Sequence, residues 1–368
     1  MSSREHAFVV GGGPAGLVAA IALRRKGLRV TVADGGDAPG DKACGEGILP
    51  TGLSALERLG IALDSVEGRA FRGIRFVNAR TSADAVFPSR PGLGMRRIAL
   101  HRQLARAAER AGVDLLWHAP ASRVAEHHVF LGSKKFQADW VIGADGYHSR
   151  VRQWAGLAPR KNPSLRFAYR QHFSCKPWTD YVEVHWAAQA QLYITPVSDD
   201  EIGIVVLSRN SRLRVKDALQ LFPRVAEKLR ACETTTAERG AATGNLMLRA
   251  VHVGQVALLG DASGSVDAIA GEGLSLAFQQ AEALADSIAQ GNLAHYEAAH
   301  SRLRRRPLWV ARQLLFLENY SWLEKRVLRA FASDRKLFQR MLAVHLGYAS
   351  TFSFATAGAW LGWRLLAA

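Results

Sequence analysis

The chain has 368 residues, 48% of them hydrophobic, and a formal net charge of +16; this is enough apolar material for one large or two modest cored domains and excludes a disordered chain. Three cysteines, Cys44, Cys175 and Cys232, stand in no metal-ligand spacing, so no metal site and no disulfide framework are expected, and the sparse set fits a reducing cytoplasm. Lys and Arg are spread along the chain with one dense cluster at Arg302–Arg306, and without a nucleic-acid module the charge points to a solvated basic surface, an acidic ligand or an anionic membrane surface rather than to nucleic acid.

No signal peptide is expected, because Met1–His6 run straight into a first strand. Ala7–Val10 is a short apolar run of the kind a buried central strand requires. It meets Gly11-Gly12-Gly13-Pro14-Ala15-Gly16, and a helix is expected over Leu17–Lys26, ended by basic residues and Gly27. Leu28–Ala33 reads as the next strand and ends on Asp34. Strand, glycine turn, helix and an acid about 20 residues on make a dinucleotide fingerprint. In that pattern Gly11 makes the tight turn, Gly13 lets backbone approach a pyrophosphate and Gly16 packs helix on strand. Pro14 and Ala15 belong to the same cofactor-binding turn, the N-terminus of the helix that follows offers free N–H groups to the phosphate, and Asp34 accepts from ribose hydroxyls.

Lys42-Ala43-Cys44-Gly45-Glu46-Gly47 follows, a glycine-bracketed segment suited to close approach to a planar cofactor. Thr51–Leu59 reads as a short helix capped by Thr51, Gly73–Val77 and Ala85–Phe87 as a hairpin, and His101–Ala111 as a helix introduced by Arg96 and Arg97. Short strands are expected at Val113–Trp117, around Val124, at Val129–Leu131 and at Trp140–Ile142, the last leading into Gly143-Ala144-Asp145-Gly146. Strands are expected at Arg166–Phe173, Tyr181–Trp186, Gln191–Pro196 and Ile202–Val206. A helix follows over Val215–Cys232, kinked or split at Pro223. Gln255–Leu259 is another buried strand, followed by Gly260-Asp261-Ala262. Gly271-Glu272-Gly273 opens a helix over Leu274–Gln290. The last quarter, His295–Gly347, reads as helical and basic, and Ser350–Ala368 as an apolar tail.

Taken together and in this order, Gly11–Gly16, Gly143–Gly146 and Gly260–Ala262 resemble the flavoprotein superfamily of aromatic hydroxylases (group A monooxygenases) and geranylgeranyl reductases, over roughly Ala7–Ala289. The resemblance implies an α/β fold: a Rossmann-like FAD-binding domain of the glutathione-reductase type, an antiparallel β-sheet substrate domain and C-terminal helices. The expected division is a discontinuous FAD-binding domain at 1–72, 96–160 and 250–294, a substrate domain at 73–95 and 161–249, and a helical region at 295–368. It also implies that Asp145 and Gly146 lie near the FAD pyrophosphate, that Gly260 and Asp261 serve the ribityl or ribose hydroxyls, and that Arg97, with Arg96 as near alternative, lies against the phosphates. Gly271, Glu272 and Gly273 would bring a helix N-terminus to the flavin, where N–H donors stabilise the negative charge of its reduced form. Lys42, Cys44 and Gly45 complete the expected cofactor contacts. NADPH or NADH is the expected electron donor, although no second dinucleotide fingerprint is present.

The segments at Lys42–Gly47 and Val266–Gly273 look more like the reductases than the phenol hydroxylases, but the reductases' Tyr-x-Trp-x-Phe-Pro signature is missing. Its nearest counterpart, Tyr193-Ile194-Thr195-Pro196, makes Tyr193 and Pro196 the candidate substrate-pocket residues. The favoured expectation is hydroxylation of a phenolic or polyketide-type ring using NAD(P)H and O2. The alternatives are saturation of isoprenoid double bonds, with Cys44 as the candidate catalytic residue, and a flavin-binding redox-responsive protein without turnover. The expected partner is a small hydrophobic substrate; for the basic, apolar C-terminal region two readings stand, a helix packed over the substrate domain, which is favoured, and peripheral membrane contact. His172 and His185 lie on expected substrate-sheet strands, where satisfied structural histidines are the commoner outcome.

Overall fold

The computed structural model describes residues 5–160 and 164–348. The strand His6–Val10 lies inside a six-stranded sheet. The order is His252–Val253, Val256–Leu258, Trp140–Gly143, His6–Val10, Arg29–Ala33 and Asp114–Leu116, with all pairs parallel except the first. Side chains alternate across a strand, and both faces here are covered. Ala7 and Val9 meet α1 (Pro14–Arg25), α2 (Pro50–Arg58), α3 (Arg97–Arg110) and the later helix Gly273–Ala289. Phe8 and Val10 meet a three-stranded antiparallel layer, Arg123–Ala125, His128–Leu131 and Lys134–Gln137, next to α4 (Arg150–Trp154). A strand buried on both sides must be apolar throughout, which is why Ala7–Val10 is legible as one.

Three helices begin earlier than expected: α1 starts at Pro14 rather than Leu17, with proline in its first turn. Pro50, not a Thr51 cap, opens α2, because proline's fixed φ suits the first helical turn. Helix α3 starts at Arg97 rather than His101: the distant Glu46 carboxylate accepts from the Arg97 N–H at 2.7 Å, a cap supplied by tertiary structure. The strand Lys134–Gln137 was not expected; its burial is slight and its pattern mostly polar.

A second, larger sheet runs Glu233–Thr234, Arg166–Ser174, Glu201–Ser208, Ala190–Pro196, Tyr181–Ala187, Gly73–Val77 and Ser82–Val86, and Arg239–Thr243 also pairs with Arg166–Ser174. It is antiparallel except where Tyr181–Ala187 runs parallel to Gly73–Val77, a strand contributed by an earlier excursion of the chain. Pro223 splits the expected helix into α5 (Val215–Ala218) and α6 (Pro223–Lys228). Cys175 and Cys232 are joined by a disulfide, Cα–Cα 5.4 Å, which corrects the expectation of unpaired cysteines; the two sit 57 residues apart in sequence and only the packing of α6 beside the sheet brings them together.

The chain returns to the first sheet with α7 (Gly273–Ala289) and continues as α8 (Leu293–Asn319), α9 (Ser321–Ser333) and α10 (Arg335–Leu346). Asn292 and Asp334 cap α8 and α10 by accepting from Ala294 N and Leu337 N. The inner faces of α9 and α10 pack Val327, Phe331, Phe338 and Leu342 against Phe71, Ala85 and Phe87, and α8 sets Ala311, Leu314 and Leu317 against Trp186 and Ile269. No helix among the described residues is long and apolar enough to cross a membrane. The expected tail at 350–368 lies outside the described residues.

Candidate functional site

A cavity of about 920 Å³ runs between the two sheets and under α8–α10. Its polar end is built on the glycine turn. Gly11 has φ +110°, and a Cβ there would stand 2.4 Å from the Ala144 carbonyl oxygen, so a side chain is excluded both by conformation and by space. Gly16 does not line the cavity; a Cβ on it would lie 1.9 Å from the Gly11 carbonyl oxygen, so its role is the close helix–strand packing. Gly13, Pro14 and Ala15 do line it. A Cβ on Gly13 would meet only Arg97 Nη2, at 3.7 Å, leaving open space in front of the N-terminus of α1.

Asp34 lines the cavity and also braces the turn, its carboxylate accepting from Gly12 N at 2.6 Å and Gly36 N at 2.8 Å. His101 was missed as a site residue. Its Nε2 donates to the Gly12 carbonyl at 2.7 Å while its Nδ1 accepts from Gly40 N at 2.9 Å. That pairing fixes the neutral tautomer, and burial lowers the imidazole's pKa in the same sense. Arg97 is buried at the first turn of α3, and burial lowers its pKa. Its Nη1 is enclosed without a hydrogen-bond partner, while the residue lines the cavity with Nη2 toward Gly13. An orphaned cationic donor next to open backbone N–H groups is the arrangement a pyrophosphate satisfies. Arg96 instead faces Glu201, at 3.6 Å.

The turn at Asp145 and Gly146 forms the adjoining wall. The Asp145 carboxylate accepts from Ser149 Oγ at 2.5 Å, Arg150 N at 2.7 Å and Val151 N at 3.1 Å, so it caps α4. Arg152 then links this turn to the Gly260–Ser263 turn by donating to the carbonyls of Tyr147 and Ala262. Gly260 and Asp261 line the cavity. Desolvation raises the pKa of Asp261, although Lys42 and Arg304 oppose the shift. Gly271, in the left-handed conformation at φ +67°, with Glu272 and Gly273, brings the N-terminus of α7 to the wall. Glu272 Oε1 stands 3.0 Å from His345 Nδ1 of α10.

Lys42, Cys44 and Gly45 line the middle of the cavity. Burial pushes the Cys44 thiol up, against the pull of Arg97 and Arg170. Behind them lies an ion network that sequence reading did not select. Glu46 takes a left-handed backbone, φ +59°. Its Oε1 accepts from Arg97 N and from Arg170 Nη1 at 3.3 Å, and its Oε2 lies 2.6 Å from His172 Nε2. Arg170 also donates both Nη2 bonds to Asp41. Arg166, two pleats away on the same strand face, binds Asp267 at 3.1 Å and Glu318 of α8 at 2.6 Å; Asp267 in turn accepts from Ile269 N just before Gly271. The sequence signal for these residues is the spacing of Arg166, Arg170 and His172 on one face of a strand whose other face carries Phe167, Tyr169 and Phe173, and it does not name their partners.

Tyr193 lines the cavity and its hydroxyl donates to the Ile269 carbonyl at 3.1 Å; burial raises the phenol well above its ordinary pKa. Pro196 does not line it. Its carbonyl packs against Gly94, where a Cβ would stand 1.8 Å away, and Thr195, which donates to the Gly45 carbonyl at 2.8 Å, takes the place expected of Pro196. His172 and His185 are structural groups held by Glu46 and Glu183, and neither lines the cavity. The far end is apolar. Phe76, Val182 and Leu207 of the large sheet face Leu317 of α8, Val327 and Phe331 of α9 and Phe338 and Leu342 of α10. Among the described residues no cluster of His, Cys, Asp and Glu fits a metal ion.

The family described as FAD binding domain matches residues 4–303. The chain is 28% identical over 316 residues to a menaquinone reductase of Mycobacterium tuberculosis, covering 78% of this chain and 77% of that protein. It is 27% identical over 315 residues to a 2-heptyl-3-hydroxy-4(1H)-quinolone synthase of Mycobacteroides abscessus, covering 78% and 82%. Among solved structures, a flavoprotein/dehydrogenase from Cytophaga hutchinsonii superposes with a TM-score of 0.80 at 19% identity, covering 93% of each chain. A 2-methyl-3-hydroxypyridine-5-carboxylic acid oxygenase gives 0.72 at 22%, covering 92% and 93%.

Proposed function

Because this chain belongs to the FAD binding domain family, we propose that it is an NAD(P)H-dependent monooxygenase that hydroxylates an electron-rich aromatic ring bearing an apolar chain. The observation that carries this reading is the continuity of the cavity: a polar dinucleotide end at Gly13 and Arg97 opens directly into a chamber walled by Phe76, Leu317, Phe331 and Phe338. Oxygenation at a flavin requires little acid–base machinery from the protein but does require a water-excluding pocket. One relative is named for making a hydroxylated ring with an apolar chain, a 2-heptyl-3-hydroxy-4(1H)-quinolone.

In this reading the α1 N-terminus, the Gly13 backbone and Arg97 hold the pyrophosphate, Asp34 takes the adenosine ribose, and Asp261 faces the ribityl side. The α7 N-terminus at Gly271–Gly273 lies by the flavin ring. FAD, when bound, supplies the two-electron redox centre and activates O2 for transfer of one oxygen atom to the ring. Arg97 neutralises phosphate charge without needing to move, because α3 is already capped by Glu46. Tyr193 keeps its proton at neutral pH, since burial raises its pKa, and so remains a hydrogen-bond donor at the junction of the polar and apolar ends. The Cys44 thiol, likewise raised, stays protonated and neutral beside the cavity.

The second reading is two-electron reduction of a quinone or isoprenoid, favoured by the Cys44 thiol as a proton source and by the menaquinone reductase relative. The experiment uses FAD-loaded protein, NADPH and isotopically labelled O2 with an alkylquinolone and a menaquinone as probes. One labelled oxygen in the product, with NADPH consumed and water released, is the expected result. An unlabelled product heavier by two hydrogens overturns hydroxylation in favour of reduction.

A further inference from the structure

We infer that the corner where α8 meets α9 is a docking surface for an anionic lipid bilayer, set at the mouth of the apolar chamber. Phe316, Tyr320 and Trp322 are large, close together in the chain and exposed, Trp322 by 60%. The rings of Phe316 and Tyr320 touch, with centroids 4.7 Å apart. Clustered exposed aromatics mark an interaction site more often than a plain surface, and Trp and Tyr are the side chains that settle at the headgroup level of a membrane. Phe316 and Gln313 are at once exposed and part of the cavity wall, so the cavity reaches the surface here. Leu317 and Leu323 line it just inside.

Charge selects the partner. Residues 302–345 carry eleven Lys and Arg against three carboxylates, and all three carboxylates are engaged within the fold. Glu318 binds Arg166, Glu324 accepts from Asn78 and Asp334 caps α10. Arg305 and Arg312 share the side of α8 that carries Phe316, at spacings of eleven and four residues. Lys325 and Arg329 share the side of α9 that carries Trp322, at three and seven; all four cations are exposed. An aromatic corner flanked by exposed cations, with no exposed acid within residues 302–345, suits anionic headgroups over an interfacial aromatic layer. The docked corner would let a lipophilic substrate pass from the bilayer into the chamber without crossing water. This last clause rests on the apolar-substrate reading, whereas the docking itself does not.

The test is flotation of the full chain with vesicles of phosphatidylcholine alone and of phosphatidylcholine with about one-third phosphatidylglycerol, a strongly anionic surface. Binding to the anionic vesicles and little to the neutral ones is expected. Lys325→Ser with Arg329→Ser should lower partitioning roughly 25-fold, about fivefold per cation removed. Tyr320→Ser with Trp322→Ser should lower it by about tenfold or more. All four side chains are exposed, and unchanged thermal unfolding of each variant verifies the fold. Equal binding to both vesicle types, no binding, or binding undiminished in both double variants overturns the proposal. Because flotation reads no turnover, a chain that floats but incorporates no labelled oxygen keeps this surface and loses the hydroxylation reading, and the converse result does the opposite.

Discussion

Glu46 holds a left-handed backbone, yet its side chain is among the best satisfied in the protein, with Arg97 N, Arg170 and His172 around one carboxylate. A buried charge survives only when paired in this way; here the pairing also fixes where α3 begins and therefore where Arg97 points. Histidine shows the reverse logic. His300 is buried, with Nε2 2.9 Å from Ser263 Oγ, and burial together with nearby Arg304 lowers its pKa to about 3. The unfolded chain binds a proton there near pH 6.5 while the native one does not, so native stability falls as pH drops from about 6.5 toward 3, by up to about 1.4 kcal/mol per pH unit. Denaturant unfolding of His300→Gln across that window should show a shallower pH dependence than the parent; an identical slope would show that His300 protonates in the native state. The glycine turn, Asp34 and the Asp145 and Asp261 turns were legible as cavity residues because each belongs to a contiguous motif. The supporting roles of Glu46, Arg170 and His101 were not legible, since they come from partners 51 to 126 residues away in sequence.

At the scale of the element, the turn and first helix separate two kinds of glycine. Gly16 supports the packing of α1 on the sheet, and Gly13 leaves room for a ligand. Gly13 has φ −69°, a conformation any residue adopts. Gly13→Ala should therefore leave the stability of the FAD-free protein within about 0.5 kcal/mol. It should weaken FAD retention by about tenfold or more, a loss of about 1.4 kcal/mol. Gly16→Ala should instead destabilise the fold by about 1–3 kcal/mol. Calorimetry of the FAD-free proteins and flavin absorbance after dialysis read both; equal retention of FAD by Gly13→Ala would remove the pyrophosphate from that turn. Helix ends were the least legible part of the elements. Pro50 and Glu46 moved two of them, one through a local φ restriction and one through a contact across the molecule.

At the scale of the whole molecule, the chamber exists because α8–α10 close over one face of the large sheet. Leu323 lines it and is only partly buried, so Leu323→Trp should fill space without disrupting a packed core. If the chamber takes the apolar chain, kcat/KM for a long-chain substrate should fall about tenfold or more while a chainless ring is little affected; parallel loss for both would place the chain elsewhere. The sequence by itself determined the dinucleotide fold and the composition of the polar end, because those depend on local periodicity and on backbone shapes that few residues can adopt. It also showed that the last quarter is helical and basic. Only the tertiary structure decided that these helices wall the cavity, that Thr195 rather than Pro196 faces it, that Cys175 meets Cys232, and that Glu46, Arg166 and Arg170 bind the sheet to the segments beside the polar end. Such contacts depend on which surfaces meet, and burial makes each pairing obligatory once they do, but nothing in the local pattern of either partner names the other.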